Sequence, residues 1–349
     1  MAAESDLNWS ILGLGRFGRI HAKTLQSMSG IRLHSACSRN AETLEQHAKE
    51  LQLANTTTSA AEILADEMVD IVSVVTHWQD HHQLTLDALR AGKHVFLEKP
   101  ISATKEQAQE ILQTSKASSG FLMVGHICRF DPRYSLARDA ILAGEIGEVT
   151  TIHAKRNLPV APANIRLGKI PPLIGDGIHD LDLAMWMLGR KPNSVFAKNI
   201  RIHDFPYPDA GWAMFDFSQS GNTTETLVVI ETHWGLPSST ETVIDARMEI
   251  IGTEGKITID CSQTGLHIKS DQSRHVDTCY WPKVGSEFEP NFPALPGYGI
   301  LMRELEYFAN CVRQGRNPTV ISVQQACDAL EMILIAQESA DSQQPIQIS

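Results

Sequence analysis

The sequence predicts two domains: an α/β domain with a doubly wound parallel sheet, followed by an α+β domain with a large, mainly antiparallel sheet. The 349 residues exceed what one hydrophobic core usually serves. Apolar strand-like runs alternate with helical patterns up to about Val124, whereas later stretches alternate polar and apolar residues with period two. We therefore expect domains at residues 1–125 and 126–349.

The first domain begins with a strand, a turn and a helix in direct succession. Residues 8–12 (Asn-Trp-Ser-Ile-Leu) predict a short buried strand, Gly13, Gly15 and Gly18 form a G-x-G-x-x-G turn, and helical spacing follows. Gly13 permits the tight turn, Gly15 lets the backbone approach a pyrophosphate, and Gly18 lets the helix pack closely against the strand. The diphosphate would bind at the helix N-terminus, where free N–H groups favour an anion. The pattern predicts a Rossmann domain that binds a dinucleotide.

The other elements follow from hydrophobic periodicity and from helix start and stop signals. In the first domain we predict strands over Arg32–Cys37, Asp70–Val75, His94–Leu97 and Phe121–Val124, and helices over Ala41–Leu51, His81–Ala91 and Thr104–Lys116. In the second we predict strands over Val149–Ala154, Ser194–Ile202, Thr226–His233, Arg247–Ile251 and Lys256–Asp260. Helices over Leu301–Gln314 and Val323–Ser339 follow.

Composition favours a soluble enzyme with small-molecule partners. The formal net charge of -11 argues against a general nucleic-acid or anionic-membrane surface. The six cysteines lack metal-type spacing and are expected to be reduced. Neither a leader-like start nor an apolar run of membrane-spanning length is evident, so we expect a cytoplasmic protein.

Glu98-Lys99-Pro100 follows an apolar strand, at the end where an open parallel sheet holds its ligand. Lys99 is therefore a candidate catalytic group. Since lysine has a pKa of about 10.4, this role requires a neighbour or desolvation that adjusts its proton affinity. A solvated turn is the alternative interpretation.

Several ordered motifs together resemble the Gfo/Idh/MocA family, named for glucose-fructose oxidoreductase, inositol dehydrogenase and rhizopine catabolism. The motifs are Gly13-x-Gly15-x-x-Gly18-x-x-His21, Ala91-Gly92-Lys93-His94-Val95 before Glu98-Lys99-Pro100, Arg129-Phe130-Asp131-Pro132, Gly144-Glu145-Ile146-Gly147 and Gly177-Ile178-His179-Asp180-Leu181-Asp182. The resemblance implies an NAD(P)-dependent oxidoreductase that transfers a hydride between nicotinamide and a secondary hydroxyl or ketone of a sugar, polyol or sugar derivative. It also implies homo-oligomers, dimers or tetramers, built through the second sheet.

By this resemblance, Lys99 holds the reacting hydroxyl and His179 acts as general base or acid. An imidazole with a pKa of about 6.5 suits that proton transfer. Many relatives carry an aspartate four residues before the histidine, where this chain has Gly175, so Asp176 is one position off. Asp182 shares a helical face with His179 if the helix has begun there; it orients the ring, contacts substrate or stabilises the helix start.

The cofactor site implied by the resemblance extends beyond the glycine turn. It includes Arg16 and Phe17 within the turn, Ser38 and Arg39 after the second strand, Thr76, His77, Trp78 and His81 after the next predicted strand, and Glu98 with Lys99. An arginine in place of the usual acidic residue favours NADP slightly over NAD, although Arg39 could instead stack on adenine or face water.

Other assignments remain open from the sequence. His77 and His81 have metal-like spacing, but a third ligand is not evident, so we predict no metal. Arg129 contacts substrate, contacts cofactor or forms a structural salt bridge, and Arg166 and Lys169 are candidates for a polar substrate. Two other functions stay open: nicotinamide-assisted glycoside cleavage without net redox change, and ligand sensing without catalysis.

Overall fold

The computed structural model describes residues 6–160, 169–219, 221, 224–237, 244–261, 266–270 and 299–348. These residues divide between two compact units, Met1–Phe130 with Leu295–Leu330 and Asp131–Ala294 with Glu331–Ser349. The sequence placed the division near residue 125. The first unit also takes in a later stretch of chain, which order along the sequence could not reveal.

Strands and helices are numbered in chain order. The strands are β1 (Leu7–Leu12), β2 (Ile31–Cys37), β3 (Thr56–Thr57), β4 (Ile71–Val74), β5 (His94–Glu98), β6 (Leu122–Gly125), β7 (Val149–Pro159), β8 (Ser194–Ile200), β9 (Ala210–Asp216), β10 (Leu227–Leu236), β11 (Asp245–Gly252), β12 (Gly255–Asp260), β13 (Leu266–Ser270) and β14 (Ile346–Gln347). The helices are α1 (Arg16–Ser27), α2 (Ala41–Leu51), α3 (Ala60–Ala65), α4 (His81–Arg90), α5 (Lys105–Ala117), α6 (Pro132–Leu142), α7 (Ile178–Leu188), α8 (Ile300–Arg313) and α9 (Val323–Ser342).

The first unit contains a six-stranded sheet in the order β3-β2-β1-β4-β5-β6. All its strand pairs are parallel. The strands β4 to β6 are buried along almost their whole length and are mainly apolar, as expected for strands of a parallel sheet that is covered on both faces. The strand order reverses between β1 and β4, and ligands of open parallel sheets bind beyond the carboxyl ends of the strands at such a point. The predicted Rossmann architecture is confirmed.

An aromatic group fixes α8 against this sheet. The ring of Phe308 lies 6.0 Å from that of Trp9 on β1 and 6.1 Å from that of Phe96 on β5, measured between centroids. All three side chains are fully buried. Aromatic pairs at such separations stabilise beyond the area that they bury. The contacts explain why a helix late in the chain belongs to the first unit.

The second unit contains an eight-stranded sheet in the order β13-β12-β11-β7-β10-β9-β8-β14. The pair β7 and β10 is parallel, and the other pairs are antiparallel. Along β10 buried residues alternate with half-buried ones, as expected for a sheet with one covered face. The prediction of a mainly antiparallel second sheet is confirmed.

Further observations bear on the cysteines and on membrane association. Cys37, Cys128, Cys261, Cys311 and Cys327 are free thiols, whereas Cys279 lies outside the described residues. In the part of the chain that the structure describes, no helix combines the length and apolar character needed to cross a bilayer.

Candidate active site

The turn after β1 can only be built from glycine at two of its three positions. Gly13 has a φ of +104°, and a Cβ added there would lie 2.4 Å from the carbonyl oxygen of Val75. A Cβ on Gly18 would lie 1.9 Å from the carbonyl oxygen of Gly13. Both clashes are with backbone atoms, so neither can be relieved by a side-chain rotation. These two glycines therefore fix the turn and seat α1 against β1.

Gly15 leaves the space at the N-terminus of α1 open. A Cβ added at Gly15 would meet no atom within 4 Å, and the residue is the N-cap of α1 without a side-chain cap hydrogen bond. The first turn of α1 carries no acidic residue. Free backbone N–H groups and the helix dipole there favour an anion. The open space and the uncapped donors fit the diphosphate of a dinucleotide, with Arg16 and Phe17 exposed beside it.

The carboxyl ends of the neighbouring strands collect most of the predicted cofactor residues. Ser38 follows β2, Thr76 lies two residues after β4, and Lys99 follows β5 directly. Because β2, β1, β4 and β5 are consecutive and parallel in the sheet, their carboxyl ends share one edge. The structure thus brings these residues of the first unit to the edge that carries the glycine turn.

Arg39 forms an ion pair that the sequence did not reveal. Its guanidinium lies 2.9 Å from the carboxylate of Asp80, in the short turn Trp78–Asp80 before α4. The arginine side chain is 82% exposed, so the pair is a surface contact of modest strength. No sequence signal links the two residues. The positive charge that we assigned to a 2′-phosphate is therefore already partly neutralised.

His81 bridges two turns of this edge. Its Nδ1 lies 2.8 Å from the carbonyl oxygen of Pro100, and its Nε2 lies 3.3 Å from that of Thr76. Burial lowers the pKa of His81, so the ring is neutral and one nitrogen donates. The shorter contact indicates donation from Nδ1 to Pro100. The predicted cofactor ligand thus ties the turn after β4 to the turn that follows Lys99.

A buried pair of side chains, His21 and Glu98, supports the turn that carries Lys99. Nε2 of His21, on α1, lies 3.1 Å from Oε1 of Glu98, and the imidazole is fully buried. The Lys99-Pro100 peptide is cis. Lys99 itself is half-buried. Glu98, predicted as a cofactor contact, links the glycine-turn helix to the strand that presents Lys99.

In the second unit, His179 and Asp182 lie on the first turn of α7. The helix begins at Ile178, so the condition for the two side chains to share a face is met. Both residues are buried, His179 with 7% of its surface exposed. The adjacent Asp180 accepts two hydrogen bonds from the Arg156 guanidinium, at 2.8 and 3.3 Å. This buried ion pair fixes the turn of helix that carries His179.

Asp176 lies in a π turn, Leu173–Gly177, that leads into α7. Its Oδ2 accepts a hydrogen bond of 2.9 Å from the indole Nε1 of Trp234 on β10. The same indole explains Gly175, since a Cβ there would lie 2.5 Å from the ring of Trp234. The Trp234 indole therefore binds the Asp176 carboxylate. It also leaves no room for a side chain at position 175, where many relatives carry their aspartate.

Arg129, His77 and Trp78 were also predicted as site residues. Arg129 is buried and donates to the carbonyl oxygen of Val320 and to Gln325, at 2.9 and 3.0 Å. The rings of His77 and Trp78 lie 6.4 Å apart. Among the described residues, no group of three His, Cys, Asp or Glu side chains could hold a metal ion. Arg166 lies outside the described residues.

Two family models match the chain. The family model of an oxidoreductase family with an NAD-binding Rossmann fold matches residues 7–126, and the model of the GFO/IDH/MocA C-terminal domain matches residues 134–258. The chain is 30% identical to scyllo-inositol 2-dehydrogenase (NAD(+)) of Bacillus subtilis, over 99% of this chain and 97% of that protein. It is 26% identical to 2,7-anhydro-N-acetylneuraminate hydratase of Escherichia coli, over 77% and 72%.

A solved structure agrees on the fold. It is scyllo-inositol dehydrogenase from Lactobacillus casei with bound NAD(H) and scyllo-inositol, which is 22% identical to this chain. The superposition has a TM-score of 0.79 and covers 98% of this chain and 99% of the other. Both units therefore match the architecture of that dehydrogenase.

Proposed function

Because the chain belongs to the Gfo/Idh/MocA family of NAD-binding oxidoreductases, we propose that its substrate is an inositol or a closely similar polyol. The enzyme is an oxidoreductase that acts on CH–OH groups. The observation that carries the proposal is the 30% identity, across nearly the whole chain, to an inositol dehydrogenase.

We assign the proton chemistry to Lys99 and His179. Nicotinamide, when bound, accepts the hydride from the carbinol carbon. The hydroxyl proton must leave as well, and the imidazole of His179 is the group with a suitable pKa for accepting it. Lys99 stabilises the developing alkoxide through charge and hydrogen bonding. That both groups act on one hydroxyl is part of the proposal.

Asp182 and Asp176 take different parts in this proposal. Asp182, one turn from His179, orients the imidazole and stabilises its protonated form. Asp176, which Trp234 holds by a hydrogen bond, contacts a further substrate hydroxyl. Arg129, which donates to Val320 and Gln325, is assigned a structural role.

NAD is the cofactor that we propose, in place of the slight preference for NADP that Arg39 indicated. The ion pair with Asp80 partly neutralises Arg39 and sets a carboxylate close to the point where a 2′-phosphate would bind. The Bacillus subtilis relative carries NAD(+) in its name. Ser38 contacts the adenosine ribose, and Thr76, His77 and Trp78 line the path to the nicotinamide.

A reaction without net redox change is the second candidate. The Escherichia coli relative is named as a hydratase, which denotes addition of water rather than oxidation. In that case the same lysine and histidine would serve a transient oxidation, and reduced cofactor would not accumulate. A purely ligand-sensing protein is disfavoured because Lys99 and His179 are both retained.

Absorbance of the reduced cofactor separates these functions. The purified protein is mixed with NAD and a panel of inositols, aldoses and glycosides. Stoichiometric NADH with an inositol supports the proposal, and product formation without NADH supports the second candidate. Cofactor binding without turnover of any compound in the panel contradicts both.

We further propose that the protein is a homo-oligomer built through the open face of its second sheet. Phe196 and Met214 are opposite each other on β8 and β9, and Trp212 lies on the same face. These side chains are 37% to 43% exposed, an apolar patch of the kind that marks an interface. Size-exclusion chromatography with light scattering tests this, and Trp212→Glu with Met214→Glu should yield a monomer.

A further inference from the structure

A buried carboxyl group in the first unit has no part in the chemistry proposed above. Glu304 lies on α8 with none of its surface exposed. Neither of its carboxyl oxygens has a hydrogen-bond partner among the residues that the structure describes. Burial, and then the charge of Glu98, raises the pKa of Glu304 well above its ordinary value, which favours the protonated, neutral acid. Buried polar groups without partners are rare and call for a reason.

The aromatic contacts of α8 indicate where Glu304 lies. Phe308 packs against Phe96 with ring centroids 6.1 Å apart. Glu304 is one helical turn before Phe308, on the same face of α8, and Glu98 is two residues after Phe96, on the same face of β5. Glu304 and Glu98 therefore both lie beside the contact between Phe308 and Phe96. This accounts for the effect of the Glu98 charge on Glu304.

The other charged groups near Glu304 are engaged elsewhere. On α1, Arg19 and Lys23 pair with Glu50 at the surface, and His21 contacts Glu98. In the turn Ile127–Phe130, which also packs against α8, Arg129 donates to Val320 and Gln325. On α8 itself Arg303 is exposed. Glu98 therefore supplies the charge that acts on Glu304.

We propose that Glu304 is a positioning residue that acts on Lys99 through Glu98. Two neighbouring buried carboxyl groups repel each other when both are charged, and Glu98 has the His21 imidazole at 3.1 Å, whereas Glu304 has no hydrogen-bond partner among the described residues. Glu304 stays uncharged and turns the dipole of its acid group towards the Glu98 carboxylate, which keeps that carboxylate bound to His21. Since Glu98 directly precedes Lys99, the pair then holds the lysine turn in one orientation. This inference rests on the proposed function of Lys99.

The charge state of Glu304 is tested without any substrate. If the folded protein retains a proton that the unfolded chain has lost, the unfolding equilibrium constant rises about tenfold for each pH unit above about 4.3. Urea unfolding of the wild type and of Glu304→Gln, which has no proton to lose, isolates this slope. A ratio of the two constants that grows about tenfold per pH unit supports the inference. A ratio that does not change with pH overturns it.

The positioning role is tested by kinetics and by the His21 imidazole. Glu304→Gln retains a dipole and a donor, so we expect its kcat to stay near that of the wild type. Glu304→Leu removes both, and we expect kcat to fall about tenfold or more, with a change in the His21 Nε2–H NMR signal. Phe308→Leu, on the same face of α8, is the packing control and should lower stability while leaving kcat per folded molecule unchanged.

A double substitution tests whether Glu304 acts on Lys99 through Glu98. In a background of Glu98→Gln, Glu304→Leu should cause little further loss of kcat, because the carboxylate that it acts on is gone. Additive losses, or an unchanged His21 signal in Glu304→Leu, overturn the inference. If no polyol is oxidised, the proposed function fails, whereas the pH dependence of unfolding and the His21 signal still decide this inference.

Discussion

Asp80→Asn should convert the protein towards use of NADP. In the structure the Asp80 carboxylate lies 2.9 Å from the Arg39 guanidinium, at the end of β2 where the adenosine ribose of a bound dinucleotide is expected. The substitution keeps the shape of the side chain and removes its charge. The substitution therefore frees Arg39 for a 2′-phosphate. It also removes a carboxylate that would repel this phosphate.

The size of the effect follows from the exposure of the pair. With Arg39 82% exposed, breaking the ion pair is worth about 0.2 to 1 kcal/mol. Two unit charges about 4 Å apart in water interact by about 1 kcal/mol, which sets the relief of repulsion. Together these contributions give about 1 to 2 kcal/mol. Affinity for NADPH should rise about tenfold, with affinity for NADH changed by less than about twofold.

Fluorescence titration with NADH and NADPH measures both affinities. Asp87→Asn is the matched control, since Asp87 is an exposed carboxylate on α4 that lies 4.0 Å from Arg90. The gain should shrink at high salt. In a background of Arg39→Ala, Asp80→Asn should give only the part that comes from removing the repulsion, about fivefold at most. An unchanged affinity for NADPH, or an equal gain in Asp87→Asn, would refute the reasoning.

Four further substitutions test other parts of the site. Lys99→Ala should reduce turnover about a hundredfold or more while NADH affinity stays within about twofold, and stopped-flow kinetics with a binding titration would expose an unchanged turnover. Gly15→Val should weaken NADH binding about tenfold or more without changing Tm, because its side chain meets no protein atom within 4 Å; undiminished affinity counts against the diphosphate site. Trp234→Phe should lower the free energy of unfolding by about 1 to 3 kcal/mol in urea, since Asp176 loses its 2.9 Å donor; no loss would show that this hydrogen bond is not stabilising. Because burial lowers the pKa of His81, the unfolded chain takes up its proton first, so stability falls as pH drops below 6.5; His81→Gln should lessen this fall, and an identical pH profile contradicts the assignment.

Most of the first sheet could be predicted because its strands are short buried runs between clear turn signals. The predicted helix over residues 41–51 coincides with α2, and the predicted end of β2 at Cys37 is confirmed. The two-residue strand β3 and the helix α3 were not predicted, since neither is long enough for a period to emerge. In the second unit β9 was likewise missed. Its run Ala-Gly-Trp-Ala-Met-Phe does alternate, but it begins with small residues that favour a turn reading.

The site could be predicted where one local motif carries it and not where distant residues meet. The glycine turn and Lys99 are readable because strand, turn and function are contiguous. Nothing in the sequence pairs Arg39 with Asp80 or Asp176 with Trp234, because these contacts depend on sheet order and on the packing of the second sheet. Glu304 did leave a signal. It occupies the buried stripe of α8 defined by Leu301, Leu305 and Phe308, where a charged residue is out of place.

A crystal structure with NADH and a polyol that cannot be oxidised tests the central claim most directly. The quantity to measure is the distance from the oxygen on the carbon beside the nicotinamide to Nζ of Lys99 and to the nearer ring nitrogen of His179. We predict that both distances lie within hydrogen-bond reach, about 2.7 to 3.2 Å. A ligand oxygen that contacts only one of the two groups, or neither, would contradict the account.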